Sequence, residues 1–167
     1  MPPIARKQFE EIFRFEPEPM VRRVIYIATP HGGSLAAQSP IGKVARRLVA
    51  LPEQVQQTYR GFQASNSNLP ARIPNSIDHL MPGNSVLESI ATFPVSRGVQ
   101  SHSIIGAGHM TPPLSEGDGL VTVGSARVSG VASELLVLER HMDVHRSTET
   151  IGEVKRILRL HAAQNLR

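Results

Sequence analysis

Ser101-His102-Ser103-Ile104-Ile105-Gly106 and, further on, Glu134-Leu135-Leu136-Val137-Leu138 decide how this chain folds. Both runs are short, unbroken and bounded by turn residues, as strands covered on two faces in a parallel sheet tend to be. Each leads to an ionisable residue in a following loop. Gly117-Asp118-Gly119-Leu120-Val121 comes after the first, and Glu139-Arg140-His141-Met142-Asp143 directly after the second. Open α/β sheets keep their sites just past the carboxyl ends of strands, and an acid and then a histidine are delivered there in turn.

Upstream, Arg22-Arg23-Val24-Ile25-Tyr26-Ile27-Ala28-Thr29-Pro30 is the clearest strand in the chain, β-branched and aromatic without alternation. It breaks at Thr29-Pro30-His31-Gly32-Gly33-Ser34, a sharp glycine turn. Pro2-Pro3 opens a short helix with Ile4, Phe9, Ile12 and Phe13 on one side. Ser39-Pro40 opens another, with Ile41, Val44, Ala45 and Leu48 at helical spacing until Pro52. Glu53 to Tyr59 suggests a weaker helix, and residues 61–76, rich in Ser, Asn and Pro, a surface excursion. Ser85-Val86-Leu87-Glu88 reads as a capping box with Leu87, Ile90 and Ala91 inward. Thr150-Ile151-Gly152-Glu153 reads as another, with Ile151, Val154, Ile157 and Leu158 facing the sheet.

The expected fold is therefore α/β, one domain over residues 1–167, with a short parallel sheet of about three strands flanked by helices. A loop and helix excursion over about residues 52–94 would form a cap. So narrow a sheet leaves the apolar edge at residues 24–28 open, and open hydrophobic edges invite pairing. A homodimer through that edge, or a partner segment laid against it, is expected.

The chain has 167 residues, no cysteine and a formal charge of +4. Disulfides and thiolate metal sites are excluded. No run approaches the ~20 apolar residues of a membrane-spanning helix. Glu10, Glu11, Glu16 and Glu18 argue against a secretory leader, so a cytoplasmic location is expected. The basic residues are scattered as Arg22-Arg23, Lys43-Arg46-Arg47 and Lys155-Arg156-Arg159, without aromatics between them. That pattern reads as solvated faces and not as a nucleic-acid surface.

Val24-Ile25-Tyr26-Ile27-Ala28-Thr29-Pro30-His31-Gly32-Gly33-Ser34 resembles the ATPHxGS segment of bacterial α/β-hydrolase lipases and esterases. Ser76-Ile77-Asp78-His79-Leu80-Met81-Pro82 is similar to their SIDxLxP segment. His102–Gly106, Gly117–Val121 and Ser133–His141 are similar to the acid-bearing and histidine-bearing units, in the family's order. The resemblance covers about Phe15 to Leu160. It implies a partial α/β-hydrolase fold, with Asp118 as the triad acid and His141 as the base. The family's Gly-x-Ser-x-Gly nucleophile elbow has no counterpart, since no serine precedes Ser34. Against the family pattern the chain looks like a C-terminal half.

Chemistry supports the two residues named. An imidazole with a carboxylate on its other nitrogen is fixed in one tautomer and suited to general base catalysis. Ser34 is the candidate nucleophile, because Gly32-Gly33-Ser34-Leu35-Ala36 is a Gly-x-Ser-x-small sequence between a strand and a helix. A serine capping the next segment is the plainer alternative. His31, Gly32 and Gly33 could line a pocket, their amides forming an anion nest. No cofactor is required; Asp143, two residues past the histidine, marks a possible calcium ligand by the same resemblance, and His141-Met142-Asp143-Val144-His145 leaves a catalytic metal open.

The expected activity is carboxylic-ester hydrolysis on a small ester or lactone, with apolar residues around Leu80, Leu87 and Phe93 favouring acyl chains. Two alternatives stand beside it. One is a non-catalytic fragment of a split or truncated hydrolase, acting as a dimer or with a partner. The other is a metal-dependent hydrolase.

Overall fold

A computed structural model describes residues 17–39, 52–69, 73–111 and 115–165. The helices expected at residues 2–13 and 41–48 lie outside them. Three strands form a parallel sheet in the order β1 (Arg23–Ile27), β2 (Gln100–Gly106), β5 (Ser133–Val137). The register pairs Ile25 with His102 and Ile27 with Ile104, then Ile104 with Leu135 and Gly106 with Val137. The expected three-stranded parallel sheet flanked by helices is thus present. Strands β1 and β5 are its edges, and β2 between them is buried from Ser101 onward. That central position explains why β2 needs no polar alternation.

Each face has its own core. Ile104, Ala28, Val137 and Val144 cluster on one face, with Ile25, Ile27, Leu135 and Val154 packed against them. This face is covered by α5 (His141–Val144) and α6 (Thr148–Asn165). Ile105, Ala107 and Val121 pack on the other face with Val123 and Ala126 of α4 (Val123–Ala126). A one-residue slip of β2 would exchange the two sets, so burial pins the register.

The long helix α6 turns inward two of the four residues expected to face the sheet, Val154 and Ile157. Its buried stripe is Thr150, Val154 and Ile157, whereas Ile151 and Leu158 stand 43% and 56% exposed. It also starts earlier: the Ser147 hydroxyl accepts the Thr150 amide at 3.1 Å, so Ser147 caps the helix and Thr150 is its third residue. Buried spacing, and not the apolar residues' own spacing, chooses the face.

The excursion contains more helix than its composition promised. Here α1 runs Glu53–Ser65, α2 Ser76–His79 and α3 Ser85–Ala91. Asn75 and Asp78 form a reciprocal capping box on α2. On α3 the cap is Asn84, which accepts from Val86 and Leu87, and not Ser85; Ile90 and Ala91 are exposed, not inward. Between β2 and β5 lies an unforeseen hairpin, β3 (His109–Thr111) antiparallel to β4 (Ser115–Gly117). No helix among the described residues is long and apolar enough to cross a membrane.

Candidate active site

The acid loop leaves β4 at Gly117 and turns sharply. The Asp118 amide bonds Val121 O at 3.1 Å, and Gly119 takes φ +95, a region that favours glycine. Asp118 Oδ1 accepts the amides of Leu120 at 2.9 Å and Val121 at 2.7 Å. The carboxylate therefore holds its own turn, as Asp does in Asx-type turns. Its other oxygen, Oδ2, is left pointing away from the turn, 2.8 Å from Nδ1 of His141.

His141 is anchored twice. Besides the side-chain bond, the His141 amide donates to Asp118 O at 3.0 Å. Val144 of the same short helix α5 is fully buried beneath it. The side chain of Asp118 is 1% exposed and that of His141 30%. Acid and base are thus brought together, one buried and one half-open. Oδ2 is an acceptor, so the shared proton sits on Nδ1 and Nε2 keeps its lone pair. Nε2 makes no hydrogen bond among the described residues.

Gly106, at the end of β2, makes the approach possible. A Cβ there would lie 2.6 Å from Asp118 Cβ, 2.8 Å from Val144 Cγ2 and 3.2 Å from Asp118 Oδ2. The close packing requires glycine, a role that His102–Gly106 did not disclose as sequence.

A cavity of about 700 Å³ opens beside His141. Ile27, Ala28, Ile77, Leu80 and Val121 give it apolar walls, and Ser34 also lines it. Ile77 and Leu80 come from the excursion; Leu87 and Phe93 are not among the lining residues, and Phe93 is 70% exposed. Ala28 carries the only positive φ of a non-glycine among the described residues, +49, while its amide bonds Ile104 O at 2.9 Å. Such a conformation costs about 1–2 kcal/mol and lifts the chain out of the sheet into the glycine turn. Its cause is invisible in the alanine itself.

The glycine turn is fully engaged. The His31 amide bonds Thr29 O, that of Gly32 bonds Ser125 O, that of Gly33 bonds Pro30 O, and that of Ser34 bonds Leu80 O. Those of Gly32 and Gly33, expected as an anion nest, therefore hold the turn. At φ +86, Gly33 packs against the 80–82 backbone, where a Cβ would be 2.8 Å from Pro82 N. His31 packs edge-on against Tyr26, ring centroids 4.7 Å apart, and burial lowers its pKa. Ser34 is buried; its hydroxyl donates to Leu120 O at 2.5 Å and accepts the Ala36 amide at 3.2 Å, capping the turn at Leu35–Gln38. Ser34 thus shares a cavity with His141 while its proton is directed to the acid loop.

Asp143, the calcium candidate, forms an ion pair with Arg146. No group of three or more His, Cys, Asp or Glu side chains is gathered for a metal among the described residues. A single paired carboxylate does not fit calcium, which takes six to eight oxygens.

Comparison of the chain with protein-family models, with curated proteins and with solved structures finds no match.

Proposed function

We propose that the chain is a carboxylic-ester hydrolase of the α/β-hydrolase type, with His141 as general base and then general acid. The observation that carries this reading is the buried Asp118 bonded to His141 Nδ1 at 2.8 Å, while His141 lines an apolar cavity and its Nε2 has no hydrogen-bond partner among the described residues. A hydroxyl presented to Nε2 would lose its proton there as its oxygen bonds the ester carbonyl carbon. The carbonyl electron pair moves onto oxygen, then returns to expel the alkoxide, which takes the proton from the imidazolium. Water repeats the sequence on the acyl intermediate and regenerates the hydroxyl. The apolar walls favour a hydrocarbon acyl chain. Ser34 is the nucleophile this reading names; it must turn from Leu120 O to Nε2 to act.

A second reading is favoured by one observation, that the Ser34 hydroxyl already has Leu120 O as its acceptor. The chain would then keep the fold without chemistry of its own, pairing through the free edge of β1 with a second copy or a segment that brings the nucleophile.

Hydrolysis of 4-nitrophenyl butyrate separates them. The intact protein turns over the ester, and His141→Ala lowers kcat about 10³-fold. Full activity in His141→Ala would sink the proposal. Full activity in Ser34→Ala would remove Ser34 alone, leaving the base in place. No turnover by the folded protein selects the second reading, and complete inhibition by a chelator selects a metal-dependent one.

A further inference from the structure

His141 stands in a wall between two cavities. Leu120, His141 and Met142 line both the apolar cavity and a second one of about 580 Å³. The second is of another character, lined by His109, Gly119, Arg140 and Asp143 with the buried Asp118 behind. Its carboxylates are both balanced, Asp118 by His141 and Asp143 by Arg146. Arg140 is not balanced: its exposed guanidinium has no carboxylate partner among the described residues. The His109 ring has no hydrogen-bond partner among them either.

Arg140 is also held in register with the dyad. It directly precedes His141, and its carbonyl accepts the amides of Asp143 at 2.7 Å and Val144 at 3.0 Å. The Cα that carries the guanidinium is therefore fixed beside the imidazole that carries Nε2. An unbalanced fork of N–H donors lining the same cavity as the His109 and His141 rings suits a carboxylate, which it can bind with two parallel hydrogen bonds.

From this juxtaposition we infer that the preferred substrate is an acyloxy acid, an ester whose alcohol portion bears a carboxylate a few atoms from the ester oxygen. The acyl chain lies in the apolar cavity, the scissile bond at His141, and the carboxylate in the second cavity against Arg140 and His109. This rests on the ester-hydrolase reading and narrows its substrate class.

The test pairs hexanoyloxyacetate with ethyl hexanoate, which share the acyl chain and differ in the carboxylate. The expected kcat/KM favours hexanoyloxyacetate roughly three- to tenfold, through KM, as a partly exposed ion pair allows. Arg140→Ala brings the ratio towards one, Arg140→Lys retains part of it, and added salt erodes it. Equal rates for the two esters, or a preference that survives Arg140→Ala, overturns the inference. If neither ester is cleaved, the ester-hydrolase reading fails and binding decides the rest. Titration with hexyloxyacetate, an ether that cannot be hydrolysed, then shifts the ring signals of His109 and His141 in the intact protein and not in Arg140→Ala. Absence of those shifts overturns the cavity's role as well.

Discussion

Two hydrogen-bonded histidines sit on different strand units of the sheet, and their ring nitrogens meet different partners. His102, near the start of β2, is 2% exposed; Nδ1 lies 2.8 Å from Ser133 Oγ, and Nε2 lies 2.9 Å from Arg23 Nη1. Ser133 donates in turn to Glu153, and Arg156 bonds both. An arginine can only donate, so His102 must accept at Nε2 and carry its proton on Nδ1. His141, beyond the end of β5, holds its proton on the same nitrogen. What differs is what meets the Nε2 lone pair: a guanidinium at His102, and no hydrogen-bond partner among the described residues at His141, which lines a cavity. The neighbour that fixes the tautomer differs too, a hydroxyl in one case and a carboxylate able to stabilise an imidazolium in the other. The first arrangement ties β1, β2, β5 and α6 together; the second leaves one nitrogen free to take a proton.

The strongest way to break this contrast is to make the two histidines equivalent. Asp118→Asn keeps an acceptor for the Leu120 and Val121 amides but turns an N–H donor towards Nδ1. The ring must then accept there and carry its proton on Nε2, the wrong tautomer for a base. In the proposed reaction kcat falls about 10⁴-fold, while circular dichroism remains that of the folded protein. An unchanged kcat would show that the carboxylate serves only its own turn.

The features that decide the fold were legible where burial leaves a mark on composition. The β1, β2 and β5 segments read as strands from their short unbroken apolar cores; the expected cover on both faces holds for β2, whereas β5 alternates and exposes Glu134 and Leu136. Asp118 and His141 were legible because strand ends place them. The hairpin at 109–117 was not, since its ladder is three residues a side and its Gly, Pro and Ser content mimics a loop. Helix α6 shows a second limit. Thr150 is buried and Ile151 exposed, because the face is set by Val154 packing against the cluster that holds Ile104 and by the buried Ile157, which no single helix's periodicity records. Ser34 shows a third: a serine between a strand and a helix has the same sequence whether its hydroxyl faces a base or Leu120 O.

Two glycines sharpen the same comparison at a smaller scale. Gly106→Ala drives a Cβ into Asp118 and Val144 at 2.6 and 2.8 Å, distances that force a shift at the dyad. About 1–3 kcal/mol of stability is lost, with at least a tenfold fall in kcat as the acid is displaced. Gly152, inside the exposed part of α6, has nothing within 4 Å of an added Cβ. Gly152→Ala therefore stabilises by about 0.5–1 kcal/mol, through helix propensity alone. Denaturant titration of both variants checks the pair, and equal effects would mean that the sheet end is not tightly packed.

The smallest effect is a slope. Burial, then the charges of Arg23 and Arg156, lower the His102 pKa below its ordinary 6.5, with Glu153 opposing. The folded state thus prefers the neutral ring, whose lone pair receives Arg23; a second N–H there would face the guanidinium. Below about pH 6.5 the unfolded chain takes up a proton that the folded chain refuses, so stability falls as pH falls. Glu153 is stabilised as a carboxylate, first by Arg156, and its contribution persists at and above the ordinary 4.5. The interval between pH 5 and 6.5 therefore reports the histidines. Burial lowers the His31 pKa as well, adding a slope of the same sign. His102→Gln keeps one acceptor and one donor without titrating, so melting temperatures between pH 8 and 5 decline less steeply than in the intact protein. Adding His31→Gln makes the decline shallower again. A slope unchanged by both substitutions would place the acid sensitivity elsewhere and leave His102 as packing alone.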